Sequence, residues 1–399
     1  MTFGEKLCQL MTEREISLRK LAKTVPCDPG YLSRISNDHK PPSPEVAQRL
    51  DDLLDARGSL LAVKPVSVRA PAHDDLGEEV EAVDLARRVD ASDVGDETLA
   101  ALEMTVDDLA SAYPRSAPGE LLARTRQHLA YVAQLMDARM TLAERRRLMV
   151  VGGWLSLLAA TCDVDLGRPP AAAARLRTAA AMAKHADHPE ILAWCLETEA
   201  WQAVTDKDYS RAVELAQAAQ RAAPRTSSAY IQATAQEGRA WARLASEGDS
   251  GAAEETRQAL TRVERLVSPL PQPDRPEHHY RYDPAKSDAY TATTLAWAGD
   301  PAAEAYARGV LDRLEHPTVG LARPRRAASA RLDLALALLA SDQPDEAAHA
   351  AMEALESGRL VPSNYWRAAE VITAVEALKV PKAVELHEAY RELCAPADE

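Results

Sequence analysis

A turn followed by an alanine-rich helical stretch recurs five times: DLGRPPAAAARLRTAA (165–180), DKDYSRAVELAQAA (206–219), EGDSGAAEETRQAL (247–260), WAGDPAAEAYARGVL (297–311) and ASDQPDEAAHAAMEAL (340–355). With Gly167, Lys207, Gly248, Gly299 and Asp342 as equivalent turn positions, the spacings are 40, 41, 51 and 43 residues. That period accommodates two helices and two turns. One helix pair cannot bury its own apolar face, so such pairs must stack. Alternating runs of Val, Ile and Thr are missing while Ala and Leu dominate, leaving a sheet little to form from. The expected class is therefore all-α, a small helical domain followed by an α-solenoid of helix-pair repeats.

The ten extra residues between the third and fourth units coincide with VSPLPQPDRPEHHYRYDP (267–284), which reads as an insertion on one face of the stack. Upstream, four short helical patterns at about 2–14, 17–25, 29–36 and 44–56 make a compact domain over 1–63. KPVSVRAPAHDD (64–75) lacks helical period and reads as a linker. Residues 76–140 are expected to be connecting helices, and 141–395 the repeat domain that dimerises and senses a signal.

The stretch DPGYLSRISN (28–37) places a proline and a glycine at the start of an amphipathic helix. Asp28 can accept hydrogen bonds from the first-turn amides, Pro29 suits the first helical position because its missing N–H would be unpaired anyway, and Gly30 follows. Tyr31, Ser33, Arg34 and Asn37 then project on one side, Leu32 and Ile35 on the other. The preceding SLRKLAKTV has Ser17 as N-cap and a buried face of Leu18, Leu21, Ala22 and Val25. Two short helices joined by a tight turn, with Arg14, Arg19, Lys20, Lys23, Arg34 and Lys40 around them, make a helix-turn-helix whose second member suits a groove.

SLRKLAKTVPCDPGYLSRISNDHKPPSPEVAQRLDDLL resembles the XRE-type helix-turn-helix of phage and bacterial repressors, in the variant that precedes long helical-repeat domains in actinomycete regulators. The likeness covers about residues 3–62. It implies that Gly30, Tyr31, Ser33 and Arg34 face DNA bases, and that Ser17, Arg19, Lys23, Asn37, His39 and Lys40 face phosphates. Pro29 and Gly30 offer no side-chain hydrogen bonds where many relatives place polar readers, which throws direct readout onto Tyr31, Ser33 and above all Arg34. Asp38 stands where the family commonly has glycine, and a carboxylate near phosphates weakens nonspecific binding.

The repeats resemble tetratricopeptide-like arrays, which implies a concave face able to hold a peptide, small molecule or partner protein. Independently, aromatics pair along the presumed first helices, Trp194 with Trp201, Tyr230 with Trp241, and Tyr290 with Trp297. They either line that face or pack the repeats together, and Trp154 and Trp366 carry the same two readings. The insertion crowds His278, His279, Tyr280, Arg281 and Tyr282 beside prolines, either folding over a ligand or forming a solvated connector. The cluster RPRR (323–326), Arg326 included, either grips a ligand carboxylate at the start of a helix, or its arginines sit in solvent or pair with neighbouring acids.

No nucleotide-binding, hydrolase or zinc-protease motif occurs, and His185 with His188 and His278 with His279 lack further ligands at metal spacing, so neither an enzyme nor a cofactor is expected. The net charge of −14 excludes a body that coats nucleic acid with its whole surface, yet the first 62 residues are net neutral. Five scattered cysteines suggest a reducing cytoplasm, and the apolar run 148–162 is too short and broken to span a membrane. The expected function is a sequence-specific transcriptional regulator, a homodimer on two half-sites about one DNA turn apart. The competing expectation is an interaction scaffold without specific DNA binding.

Overall fold

The computed structural model describes residues 2–25, 28–40, 42–63, 92–271, 278–315 and 323–395, and every regular element among them is helical, with no strand. The side chain of Arg19, the turn residues Pro26 and Cys27, and the linker 64–75 lie outside the described residues. The chain divides into two compact units, residues 1–89 and 90–399.

In the first unit, α1 (Phe3–Glu13), α2 (Leu18–Thr24), α3 (Pro29–Ser36) and α4 (Pro44–Leu53) pack Phe3, Leu7, Leu21, Leu32, Ile35 and Leu50 into one core. Each helix opens on a side-chain cap. Thr2 and Glu5 form a capping box on α1, Ser17 caps α2, Asp28 caps α3 and Ser43 caps α4, so amides that lack intrahelical partners are satisfied. Asp51, buried in α4, accepts from the amides of Gly58 (2.6 Å) and Leu60 (2.9 Å) and pins the chain that follows.

Asp38, expected from the sequence to burden a DNA face with negative charge, has its carboxylate turned to the start of α1. It accepts from the Gly4 amide at 2.7 Å and from the Thr2 hydroxyl. Gly4 is required by that contact, since a Cβ there would lie 2.6 Å from the Ser36 carbonyl and 2.7 Å from the Asp38 carboxylate. Backbone cannot retreat as a flexible side chain can, so Gly4→Ala should destabilise the N-terminal unit by about 1–3 kcal/mol despite alanine's better helix propensity. Urea denaturation of the variant reads this directly, and an unchanged or raised midpoint would contradict the packing.

The second unit is a stack of paired helices. Two helices lead, α5 (Asp96–Ala112) and α6 (Pro118–Met136). Six pairs follow: α7 (Leu142–Asp165) with α8 (Pro169–His185), α9 (Pro189–Thr205) with α10 (Tyr209–Ala222), and α11 (Ser228–Ser246) with α12 (Ala252–Val267). They continue with α13 (Pro284–Ala298) and α14 (Ala303–Glu315), α15 (Pro324–Ala340) and α16 (Pro344–Glu356), and α17 (Tyr365–Ala377) and α18 (Ala383–Cys394). The first helix of each pair touches the first helix of the next.

All five turn positions picked out from the sequence adopt left-handed backbone, Gly167 at φ 65°, Lys207 at 62°, Gly248 at 97°, Gly299 at 66° and Asp342 at 57°. The amide of the residue after each returns to a carbonyl five residues earlier, as Arg168 to Asp163 (2.8 Å), Asp208 to Ala203 (2.8 Å) and Gln343 to Leu338 (2.9 Å). This is the Schellman closure, which satisfies carbonyls left over at a helix end. A further closure of this kind, Lys379 at φ 58° with the Val380 amide on the Val375 carbonyl at 3.3 Å, joins α17 to α18. The sequence had not announced that pair.

Small residues set how closely the pairs approach. Ala172, Ala179 and Ala183 of α8 are buried against α7, and a Cβ on Gly238 of α11 would stand 3.0 Å from that of Ala259 on α12. Residues 96–136, expected as connecting helices, share one core with the first pairs, where Leu99, Leu102, Leu109 and Leu121 join Leu148, Leu155 and Trp194. The apolar run expected to be too short for a membrane belongs to α7, a 24-residue helix long and apolar enough to cross one. Its apolar side chains are spent within the core of the stack.

Candidate functional site

In the first unit, Arg34, Lys20, Lys23, His39 and Lys40 are exposed on and around α2 and α3. Gly30 is exposed at the second position of α3, where a Cβ would meet the capping carboxylate of Asp28 at 2.9 Å. Its smallness thus serves the cap as well as any approaching surface. Tyr31 is half-buried, its hydroxyl accepts from the Ser43 amide at 3.3 Å, and Lys40 lies 5.3 Å from its ring, so it ties α3 to the start of α4. Ser33 is half-buried, and the Asn37 side chain donates back to the Ser33 carbonyl at 2.8 Å. Ser17 is occupied as the cap of α2. Among the described base-reading candidates, Arg34 is the exposed charged side chain.

The second unit holds a cavity of about 210 Å³. Every helix lining it is the first of its pair, apart from the chain after α5 at Tyr113 and Pro114. Thr161 and Asp165 come from α7, Glu197 and Trp201 from α9, Gln232 and Arg239 from α11, Lys286 and Tyr290 from α13, Arg325, Arg326 and Asp333 from α15, and Arg367 from α17. His278, His279 and the 359–364 segment complete the wall.

The buried carboxylates at this wall are hydrogen-bonded, as low dielectric requires. Asp165 accepts from Arg325 (2.5 Å), the Tyr113 hydroxyl (2.8 Å) and the Ser363 hydroxyl (3.0 Å). Asp333 takes Arg367 and the Thr293 hydroxyl (2.7 Å), and Glu197 takes the Gln232 amide at 2.7 Å. Burial raises the pKa of Glu197 and Asp333 above the ordinary carboxylate range. Lys286 donates to the His279 carbonyl at 2.8 Å and lies over the Trp194 and Tyr282 rings.

Arg239 is held differently. Its guanidinium sits 4.8 Å from the Tyr290 ring and 4.7 Å from the Trp297 ring, donates from Nη1 to Gln236 Oε1 at 3.1 Å, and has no carboxylate of the described residues within salt-bridge distance. Its Nε is buried without a partner.

The insertion does not run over the surface at its described end. Tyr280 and Tyr282 are buried, the His279 amide donates to the Ala110 carbonyl at 3.1 Å, and His278 meets Asp107 at 3.1 Å. Rings continue through this segment from Tyr113 to His279 (4.1 Å) and from Tyr280 to Trp154 (4.7 Å) and Trp194 (5.3 Å). Burial lowers the pKa of both histidines, that of His278 to about 4 with help from Arg281 and that of His279 well below normal, so both are neutral near pH 7.

Of the expected ligand residues, the fold brings Trp201, Tyr290 and Arg326 together at this cavity. Trp154, Tyr280 and Arg281 line a second opening beside α5. Trp194, Trp297 and Tyr282 are buried, Trp241 packs beside Trp297 and Trp366, and Tyr230 packs against the first core with Arg225 5.9 Å from its ring. Sequence reasoning missed Arg239, Lys286, Arg367 and the three carboxylates, and took Arg325 only as part of the cluster RPRR. Acidic residues inside apolar helical runs, as Glu197 in WCLETEAW and Asp333 in LDLALALL, are the signal that pointed to them. No protein-family model, curated protein or solved structure matches the chain.

Proposed function

We propose that the chain is a sequence-specific DNA-binding regulator of the XRE helix-turn-helix type, acting as a homodimer, whose tetratricopeptide-like array senses a ligand. The observation that carries this reading is the capped α2–α3 pair, which leaves Arg34, Lys23, His39 and Lys40 exposed within the charge-balanced first 62 residues of an otherwise acidic chain. In this reading α3 enters the major groove, Arg34 donates to a guanine, and Lys23, His39 and Lys40 steady the phosphates. The polar cavity of the second unit is the sensing site, and an occupant acts on DNA affinity through its preference between two arrangements of the dimer.

Selection of genomic fragments by the full-length protein at physiological salt should recover discrete sites sharing a two-fold motif. Arg34→Ala should weaken binding to them by about 1–3 kcal/mol and relax one base position in each half-site. Recovery of the same unspecific background by wild type and variant would favour the scaffold reading instead.

A further inference from the structure

Cationic side chains outnumber carboxylates in the lining of the cavity. Six cationic side chains line it, Arg239, Lys286, Arg325, Arg326, Arg359 and Arg367, against the three carboxylates of Asp165, Glu197 and Asp333. The imbalance stands out in a chain whose net charge is −14. Asp165 and Asp333 are each engaged by one arginine and by hydroxyls, and among the described residues Arg239, stacked on two rings, makes a salt bridge to neither of them nor to Glu197.

The hydrogen bonds around Arg239 are incomplete in a directional way. Gln232 Nε2 donates to Glu197 (2.7 Å) and to the Tyr290 hydroxyl (2.8 Å), which fixes the amide and leaves its Oε1, buried in the cavity wall, an acceptor without a donor. Gln236 Oε1 takes Arg239 Nη1, which fixes that amide too and leaves Nε2 a buried donor without an acceptor. Arg239 Nε and Arg367 Nε are further buried donors without partners. Unsatisfied groups of this kind are uncommon in folded proteins, and three of these, Gln232 Oε1, Arg239 Nε and Arg367 Nε, belong to residues that line the cavity, which calls for an occupant. Unmet donors outnumber unmet acceptors, so the occupant is rich in acceptors.

We infer that this cavity binds a small organic anion, whose carboxylate or phosphate pairs with Arg239 between the Tyr290 and Trp297 rings and whose hydroxyl or amino group donates to Gln232. Planar guanidinium held between two rings presents its remaining N–H edge to an oxyanion with little entropy left to lose. The size of the cavity suits a compact molecule rather than a folded partner. The inference rests on the sensing role proposed above and gives that role a ligand class.

The test uses the full chain and three probes of similar size, 4-hydroxybenzoate, phenyl phosphate and the neutral 4-hydroxybenzamide. Calorimetry and thermal melting at low salt should show saturable binding and a raised Tm with one or both anions and neither with the amide. Preference for phenyl phosphate would assign a phosphate ligand, and preference for the benzoate a carboxylate. Arg239→Gln should weaken the anion by about tenfold or more. Ser329→Asp, which adds a carboxylate at a half-exposed lining position and leaves Arg239 in place, should do the same in a variant whose core is untouched.

Equal binding of the neutral amide, undiminished anion binding in both variants, or no saturable binding of either anion up to millimolar concentration would overturn the inference. Genomic selection on the same preparations separates the two readings. Discrete DNA sites without anion binding would leave the regulator standing and remove its proposed ligand class, whereas anion binding without DNA sites would do the reverse.

Discussion

Arg367→Ala should cost the second unit about 3–5 kcal/mol, because it strands the Asp333 carboxylate inside the stack with only the Thr293 hydroxyl to face. Both members of the pair are buried, Arg367 at 4% and Asp333 at 3% exposure, so the carboxylate depends on its protein partners. Burial already raises the pKa of Asp333, and without Arg367 the carboxyl should prefer the neutral form, so the variant should recover part of its loss at lower pH. Replacing both partners, as Arg367→Met with Asp333→Leu, should restore much of the stability, since a well-packed apolar pair often equals a buried ion pair. Thermal melts of the two singles and the double form the cycle that checks this. An Arg367→Ala loss below about 1 kcal/mol would mean that Asp333 does not depend on it.

Acid should loosen the same unit well before its carboxylates are exhausted. Unfolded, His278 takes a proton near pH 6.5, whereas folded His278 resists protonation down to about pH 4 because it is buried and faces Arg281 and Lys286, with Asp107 only partly offsetting them. Between those limits the unfolded chain binds more protons, so stability is full above about pH 6.5 and falls with decreasing pH. The separation corresponds to about 3 kcal/mol from His278, and His279 works in the same direction. Glu197 and Asp333, with raised pKa values, take up protons on folding and oppose the trend toward the acid end. Urea titrations across this range should therefore show wild type losing more stability than His278→Gln. Parallel pH profiles would place the acid sensitivity elsewhere.

The repeat was legible because a Schellman closure demands a left-handed residue, and Gly, Lys or Asp before a fresh helix start marks it. The pair closed at Lys379 escaped because the helix after LKVP opens on charged residues, KAVELHEAYREL, without the alanine run that marks the other five units. The helix ends of the first unit were legible in the same local terms, since Ser17, Asp28 and Ser43 cap where their chemistry suggests. What Asp38 touches was not legible, because its partners, Thr2 and Gly4, are more than thirty residues away. The cavity was legible only in part for the same reason. Aromatic spacing led to Trp201 and Tyr290, but Arg239, Arg325 and Arg367 look like ordinary surface charges until six helices bring them onto one wall.

A row of helix pairs joined only through adjacent members melts in pieces, each piece indifferent to those beyond its neighbour. This stack contains shortcuts. Asp165 in the first pair takes hydrogen bonds from Arg325 and Ser363, 160 and 198 residues further on, and Arg243 of α11 clasps Glu370 of α17 through two contacts of 2.7 Å. Such cross-ties turn a linear chain of dependencies into a loop, so loosening the last pair reaches the first without passing through those between.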